Sequence, residues 1–247
     1  MFLKFICCDV FARIACELVA KSPNVVDLEF IPMLAHVEPV DLRNLIQEKI
    51  NTTTNQLGRR YDAIILGFGI CGNAVMGLSG QIPIIIPRAH DCCTLLMGSK
   101  EKFLSAFGNT LSSRWCSTGY YERTFGYNSN YQHVEQMDNY KTSPEYIKYL
   151  EDYDEETADY LWETLHPKIE SHESVYIEIE GQEYSDACKN YKETMDRLGI
   201  DLRVVSGDIS FLEALVSGDW DESKFLYVPP GKVITGVYDM EEVMRAV

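Results

Sequence analysis

The stretch IPIIIP, residues 82–87, is the strongest indicator of fold class in this chain of 247 residues. Its apolar residues do not alternate with polar ones. This predicts a strand that is covered on both faces, the usual state of a strand in a parallel sheet between two layers of helices. Just before it, residues 61–69 (YDAIILGFG) predict another buried strand that ends in a glycine turn. The two strands together indicate an α/β protein.

The rest of the chain alternates between strand-like and helix-like patterns. Short apolar runs predict strands, and apolar residues at helical spacing predict the helices between them. This alternation predicts a doubly wound, mostly parallel, Rossmann-like α/β fold. The predicted strands are 3–10, 25–34, 61–69, 82–87, 174–180, 201–207 and 224–231, and the predicted helices are 11–22, 39–55, 71–80, 92–98, 99–109, 145–160, 184–199 and 209–220.

The chain is long enough for one large domain or for two small lobes. We expect a first α/β lobe at residues 1–110, which carries the candidate site, and a second α/β part at 111–247 that packs on it, unless the two form one continuous domain. Residues 109–145 are rich in aromatic side chains and are predicted to be irregular. A long irregular stretch in a compact protein is typical of a lid or a hinge.

Composition disfavours several classes of function. The formal net charge of −16 and a pI near 4.7 make the protein repel nucleic-acid backbones and anionic lipid headgroups, so we expect neither nucleic acid nor membrane as a partner. Charged residues from Lys4 to Glu17 interrupt the apolar start of the chain, which is not the pattern of a signal peptide. We therefore expect a cytoplasmic protein whose eight cysteines are reduced thiols.

Gly67, Gly69 and Gly72 form a G-x-G-x-x-G motif after the third predicted strand. A dinucleotide site also needs a helix after the turn and an acidic residue about 20 positions later, and Asp91 stands near that distance. However, the predicted helix is short, and the motif follows the third strand rather than the first. The alternative is that these glycines only allow the backbone to pass close to a neighbouring segment or ligand.

Thiol and imidazole side chains follow each of the first four predicted strands. Because the carboxyl ends of parallel strands meet at one edge of the sheet, these side chains are expected to lie at that edge. Sulfur and imidazole ligands favour zinc, iron or cobalt over magnesium or calcium. Cys7 and Cys8 are adjacent in a strand, so only one of the two thiols can face this edge. We select Cys8. The candidate ligands are Cys8, His36, Cys71, His90 and Cys92.

Two other interpretations of these residues stay open. A buried free cysteine often only fills space, and there is no C-x-x-C pair to indicate a metal site by spacing alone. A cysteine and a histidine without metal could instead form a nucleophile and its base.

Four further residues are candidates at the same edge. Arg88 could hold an anionic group of a substrate, and Asp91 could orient the His90 ring or contact a backbone amide. Gly72 and Ser99 could bring backbone amides to a cofactor or a phosphate, although a serine before a helix is more often an ordinary N-cap.

These motifs resemble a bacterial and archaeal family, domain of unknown function 1638. The resemblance extends over nearly the whole chain, including the later motifs STGYYERTFGY and FLYVPPGKVI at 117–127 and 225–234. No activity is assigned to the family, but its genes often stand beside corrinoid-dependent methyltransferase systems, which implies a thiol-rich metal site used in methyl or one-carbon metabolism. The central motif residues are Cys8, His36 with Pro39, Cys71 with Gly72, Pro87 through Cys92, and Gly98 with Ser99.

Residues and resemblance together predict a metalloprotein with zinc by default, or with iron, cobalt or a corrinoid. If the protein is an enzyme, we expect a methyltransferase-type enzyme that acts on an anionic or other small thiol. Its partner would then be a corrinoid protein. The alternatives are a carrier or accessory module for a metal or corrinoid, without turnover, and a metal-free enzyme with a cysteine nucleophile.

Overall fold

The structure is a computed structural model that describes residues 1–37, 39–108, 114–126, 141, 144–165, 173–237 and 242–247. Its main sheet has five strands in the spatial order β2-β1-β3-β4-β8. The first four strands run parallel, and β8 pairs antiparallel with β4. This confirms a mostly parallel α/β architecture. The strands are β1 (Phe2–Cys8), β2 (Val25–Ile31), β3 (Ala63–Gly67), β4 (Ile84–Pro87) and β8 (Phe225–Val228).

Two helices follow β1 and β2 and lie on opposite faces of this sheet: α1 (Ala12–Lys21) and α2 (Pro39–Asn51). Successive side chains of a strand point to opposite faces. Lys4 of β1 donates to the carbonyl oxygen of Lys49 in α2 at 2.7 Å. Cys7, on the other face, has a pKa that is raised by burial and then by neighbouring charges, among them that of Cys16 in α1. Cys8 therefore shares a face with Lys4 and α2.

Lys4 is a charged residue inside the core, with 1% of its surface exposed. Its ammonium group donates to the carbonyl oxygens of Lys49 (2.7 Å) and Thr52 (3.3 Å) and lies 2.9 Å from a carboxylate oxygen of Glu29. Burial of an ammonium group is tolerated only when such partners replace water. The lysine thus joins β1, the end of α2 and β2.

The second sheet has three parallel strands in the order β5-β6-β7. On one face of β6, Val175 and Ile177 pack into the main core, which makes the core continuous between the sheets. On the other face, Tyr176 packs in a smaller cluster with Tyr191 and Met195. The strands are β5 (Arg114–Ser117), β6 (Glu173–Glu178) and β7 (Asp201–Ser206), and a separate antiparallel pair is formed by β9 (Ile234–Gly236) and β10 (Met244–Ala246).

The remaining helices include both short connections and longer packing elements. They are α3 (Cys92–Met97), α4 (Lys100–Phe107), α5 (Thr118–Tyr121), α6 (Pro144–Asp152), α7 (Glu155–Leu165), α8 (Ala187–Arg197) and α9 (Ser210–Ser217). Two 3-10 turns cover Asp9–Phe11 and Met33–Val37, and a π-helical turn covers Glu122–Gly126.

Segments at the carboxyl ends of both sheets contact each other. Gly119 of α5, just after β5, lies so close to the turn after β1 that an added Cβ would be 1.8 Å from the carbonyl oxygen of Val10. Asp208, just after β7, donates its backbone N–H to the carbonyl oxygen of Leu96 in α3 at 2.7 Å. The edge that carries the candidate ligands therefore faces the second sheet.

Three local predictions were wrong. Residues 71–77 form turns instead of the start of a helix, because this segment contains three successive residues with positive φ and a further one at Gly77. Residues 114–126 are not irregular but form β5, α5 and the π-helical turn. The acidic segment at 145–160 spans two helices, α6 and α7. The other parts of the predicted irregular region, 109–113, 127–140 and 142–143, lie outside the described residues, and its role as lid or hinge stays a prediction.

The division of the chain near residue 110 also stays a prediction. β8, from the last part of the chain, completes the main sheet, so the predicted second part contributes to the first sheet. Within the described ranges, no helix combines the length and the apolar character needed to cross a membrane.

Candidate functional site

The loops that follow β3 and β4 lie side by side. The backbone N–H of Ile70 donates to Ala89 (2.9 Å), and that of Cys71 donates to His90 (3.0 Å). This approach requires glycine at position 69, where an added Cβ would lie 2.5 Å from the backbone nitrogen of Asp91. Gly69 therefore serves contact between two protein loops, which is the alternative that the sequence left open for the glycine motif.

The first loop turns through an unusual run of backbone conformations. Cys71, Gly72 and Asn73 have φ values of 47°, 64° and 70°. For residues other than glycine, this left-handed region costs about 1–2 kcal/mol each. Arg43 of α2 holds the run in place, because its guanidinium donates to the carbonyl oxygens of Asn73 (2.9 Å) and Ala74 (3.4 Å). Strain of this kind at a cysteine is typical of functional sites.

Three thiols lie at this edge of the sheet. Cys8 is the last residue of β1, Cys71 lies in the strained loop, and Cys92 is the first residue of α3. Burial raises the pKa of Cys92 well above its ordinary value, and the charges of Cys71 and Cys8 raise it further. The three sulfur atoms are thus within electrostatic range of one another, whereas Cys7 points to the opposite face.

Each of these thiols is held in its neutral form. Burial raises the pKa of Cys71 to about 12, against a smaller opposing effect of the Gly69 backbone amide. Burial also raises the pKa of Cys8 far above its ordinary range. A thiol with a raised pKa is a poor nucleophile and becomes a thiolate only when a positive charge reaches it.

Two imidazole rings lie near the same edge, and each has a polar atom with no partner. The Nε2 atoms of His36 and His90 are buried and make no hydrogen bond within the described part of the chain. The His36 ring stacks on Phe68, with 6.2 Å between ring centroids. Burial lowers the pKa of His36, and the charge of Asp9 partly opposes this. Buried polar atoms normally have partners, and the described residues supply none for these two ring nitrogens.

Arg88 does not present a free guanidinium to this site. It donates to the backbone carbonyl oxygens of Glu222 (3.0 Å), Glu242 (2.7 Å) and Met244 (2.5 Å). These bonds join the segment after β4 to the last part of the chain. The guanidinium that was predicted to hold an anionic substrate group is therefore engaged in hydrogen bonds within the protein.

Asp91 and Ser99 cap helices. Asp91 accepts hydrogen bonds from the backbone N–H (2.8 Å) and the hydroxyl (2.9 Å) of Thr94, and so begins α3. Of the two roles considered for Asp91, contact with a backbone amide is the one these bonds provide. Ser99 accepts from the backbone N–H of Lys102 (3.1 Å) and begins α4. Gly72, in the left-handed run, has Pro39 of α2 as its nearest neighbour, 3.7 Å from an added Cβ.

The side chains are not arranged as a finished metal site. Within the described residues, no three histidine, cysteine, aspartate or glutamate side chains form a group that could hold a metal ion as they stand. The structure thus places Cys8, Cys71 and Cys92 within electrostatic range of one another at one sheet edge and leaves the Nε2 atoms of two histidines without partners among the described residues. Arg88, Asp91 and Ser99 make hydrogen bonds within the protein.

Sequence reasoning missed Asp9 and Arg123. Asp9 follows Cys8 directly and accepts the backbone N–H of Met33 at 2.8 Å, which fixes the turn that carries His36. Its other oxygen lies 3.7 Å from Nε of Arg123 in the π-helical turn. The position of Asp9 at a strand end was a usable signal. The pairing with Arg123 was not, because it joins residues over 100 positions apart.

Fold and site together define an α/β protein in which buried thiols and imidazoles lie along one sheet edge. The chain matches the family described as Protein of unknown function (DUF1638) over residues 30–216, and it belongs to this family. This confirms the resemblance seen in the sequence motifs. The match begins after Cys8 and covers the other candidate ligands. No curated protein and no solved structure matches the chain.

Proposed function

We propose that this protein binds a transition metal, zinc by default, through Cys8, Cys71 and Cys92 together with a histidine. The supporting observation is the coincidence, at one sheet edge, of three mutually interacting buried thiols with two buried ring nitrogens that lack partners. His90 is the preferred fourth ligand because its backbone pairs directly with Cys71. His36 is the reserve.

The donor set fits zinc, iron or cobalt in its chemistry. Three thiolates and one imidazole are a common ligand set of tetrahedral zinc sites, and soft sulfur ligands disfavour magnesium and calcium. Because burial keeps the thiols neutral, a metal ion would have to displace their protons as it binds. Since the side chains do not already form a metal-binding group, binding would also require them to rotate.

The chemistry that we infer is methyl or one-carbon transfer linked to corrinoid systems. A bound metal would hold a substrate thiol as a thiolate that remains nucleophilic at neutral pH. The chain would supply the ligands, the buried setting that excludes water, and the strained Cys71 loop that sets the position of one thiol. In this proposal the protein acts in the cytoplasm, and a corrinoid protein is its partner.

We also infer the type of α/β fold from the order of its strands. The order β2-β1-β3-β4 is that of the common doubly wound folds, which bind ligands beyond the carboxyl ends of their strands. We infer a Rossmann-like arrangement in which the second sheet covers that edge as a second lobe.

A carrier or accessory module for a metal or corrinoid is the second candidate. The observation that favours it is the absence of a finished ligand group within the described residues, since ligands that must move suit transient binding. Release of one metal equivalent to a partner, without repeated turnover of a methyl donor, would identify a carrier. The raised pKa values of the three thiols disfavour the remaining alternative, a metal-free cysteine nucleophile.

The deciding experiment measures metal content. The protein is purified without oxygen or chelator, and the metal is counted per chain in the wild type, in Cys71→Ser and in His90→Ala. Cys16→Ser is the matched control, because Cys16 is an exposed thiol of α1. About one zinc, iron or cobalt per chain that is lost in both site variants and kept in the control supports the proposal. If the wild type contains no metal and takes up no cobalt on titration, the metal site does not exist.

A further inference from the structure

Arg123 lies beside the turn that follows Cys8. It belongs to the π-helical turn at Glu122–Gly126, which contacts both the turn after β1 and the turn that carries His36. Its guanidinium is 3.7 Å from Asp9, the residue directly after Cys8.

The side chain of Arg123 is partly exposed and only loosely held. It is 38% exposed, and its contact with Asp9 is too long for a hydrogen bond. Among the residues that the structure describes, nothing else bonds to it. Asp9 approaches only the Nε side, which leaves the two terminal nitrogens of the guanidinium fork available. A planar fork of this kind is well suited to a carboxylate, sulfonate or phosphate.

The residues on both sides of Arg123 make several contacts, in contrast to Arg123 itself. The neighbouring Glu122 accepts three hydrogen bonds of 2.7–3.0 Å from Arg13 of α1. Thr124, on the other side, donates its hydroxyl to the carbonyl oxygen of Tyr120 at 2.7 Å. α5, which precedes the turn, is pressed against the turn after β1 through Gly119. The turn that carries the guanidinium is thus anchored to α1 and to the turn after β1, while the terminal nitrogens of Arg123 have no partner among the described residues.

We propose that Arg123 is the residue that binds the anionic group of a small thiol substrate whose sulfur enters the cluster of Cys8, Cys71 and Cys92. Arg123 is a specificity-determining residue, and it takes the role that the sequence assigned to Arg88. This inference rests on the proposed function for the identity of the cluster, whereas the binding of the anion by Arg123 does not require a metal.

The test is calorimetric titration under anaerobic conditions, with the protein in its metal-free form and after loading with cobalt. The probes are 3-mercaptopropionate, 2-mercaptoethanol, which lacks the carboxylate, and propionate, which lacks the thiol. The variants are Arg123→Gln, Arg123→Lys and Arg197→Gln. Arg197 is a matched control because it is an exposed arginine at the end of α8, just before β7 begins and hence at the opposite edge of the second sheet.

We expect Arg123→Gln to weaken 3-mercaptopropionate binding about tenfold or more, as loss of a charged hydrogen bond does. Binding of 2-mercaptoethanol should not change, Arg123→Lys should retain part of the affinity, and Arg197→Gln should behave as the wild type. Equal affinities of wild type and Arg123→Gln for 3-mercaptopropionate, or equal losses for both thiols, would overturn the role of Arg123.

The same experiment separates the two proposals. If cobalt is not bound but Arg123→Gln still loses affinity for both carboxylates, the anion site stands and the metal site fails. If cobalt is bound and the charge of the probe makes no difference, the metal site stands and the role of Arg123 fails. If the wild type binds neither cobalt nor any of the probes, both proposals fail.

Discussion

Substitution of Gly69 by alanine tests whether the two site loops depend on close backbone contact. The new Cβ would lie 2.5 Å from the backbone nitrogen and 2.7 Å from the Cα of Asp91. Normal contact needs roughly 1 Å more, and both neighbouring atoms belong to the backbone, so the loops must separate. This separation would strain the bonds from Ile70 to Ala89 and from Cys71 to His90.

The expected loss follows from these contacts. Two backbone hydrogen bonds contribute about 1 kcal/mol each, and forced overpacking in a buried region costs about 1–3 kcal/mol. We therefore expect the free energy of unfolding to fall by about 3–5 kcal/mol, a large part of the stability of a typical domain. The metal affinity should fall as well, because the same loops carry Cys71 and His90.

The assay is urea unfolding followed by circular dichroism, with cobalt titration of the same samples. Gly236→Ala is the control, because the nearest atom to its added Cβ is the flexible Met76 side chain, with Sδ at 3.3 Å. We expect this control to stay within about 1 kcal/mol of the wild type. If Gly69→Ala unfolds at the same urea concentration as Gly236→Ala and binds cobalt as tightly, the two loops do not need glycine and the account is wrong.

Three further predictions concern the core, an ion pair and the strained loop. Lys4→Met should lower the free energy of unfolding by about 3 kcal/mol, since the carbonyl oxygens at the end of α2 lose their partner. Lys49→Met, at a half-exposed position, should lower it by about 1 kcal/mol or less, and urea unfolding of the two variants measures the difference. Burial alone would raise the pKa of Asp208, but hydrogen bonds, chiefly from Lys102, lower it. Its contribution to stability is therefore present above about pH 4 and lost as the pH falls through the lowered pKa, so unfolding curves of wild type and Asp208→Asn should converge in acid. Cys71→Gly should be more stable than Cys71→Ala by about 1 kcal/mol in thermal unfolding, because only glycine adopts a φ of 47° without strain, and equal stability would show that the loop relaxes.

Much of the main sheet could be predicted because its strands are continuous apolar runs. β1, β3 and β4 are buried along their whole length, so their sequences contain almost no polar residues. The direction of β8 was not predictable, because the sequence of Phe225–Val228 is equally suited to either direction. β5 was missed, since it has four residues and begins with a half-buried arginine and tryptophan.

The place of the candidate site was more predictable than its contacts. Parallel strands share one carboxyl edge, so residues that follow β1, β3 and β4 had to lie near one another. The partners of Arg88 could not be predicted, because they lie more than 130 positions later in the chain. The helix predicted from residue 71 does not form because Cys71, Gly72 and Asn73 adopt positive φ. Glycine and asparagine often adopt this conformation, but cysteine rarely does, so the turn at Cys71 could not be predicted from its residue type.

The pairing of β4 with β8 has a consequence for synthesis on the ribosome. About 140 residues separate the two strands. At usual elongation rates the outer edge of β4 therefore stays unpaired for on the order of 10 s before β8 is synthesised. An isoleucine-rich strand with an open edge invites pairing between nascent chains. Pro83 and Pro87 flank its three isoleucines, and a proline cannot donate to a neighbouring strand. We therefore expect these prolines to limit aggregation of the unpaired strand during that delay.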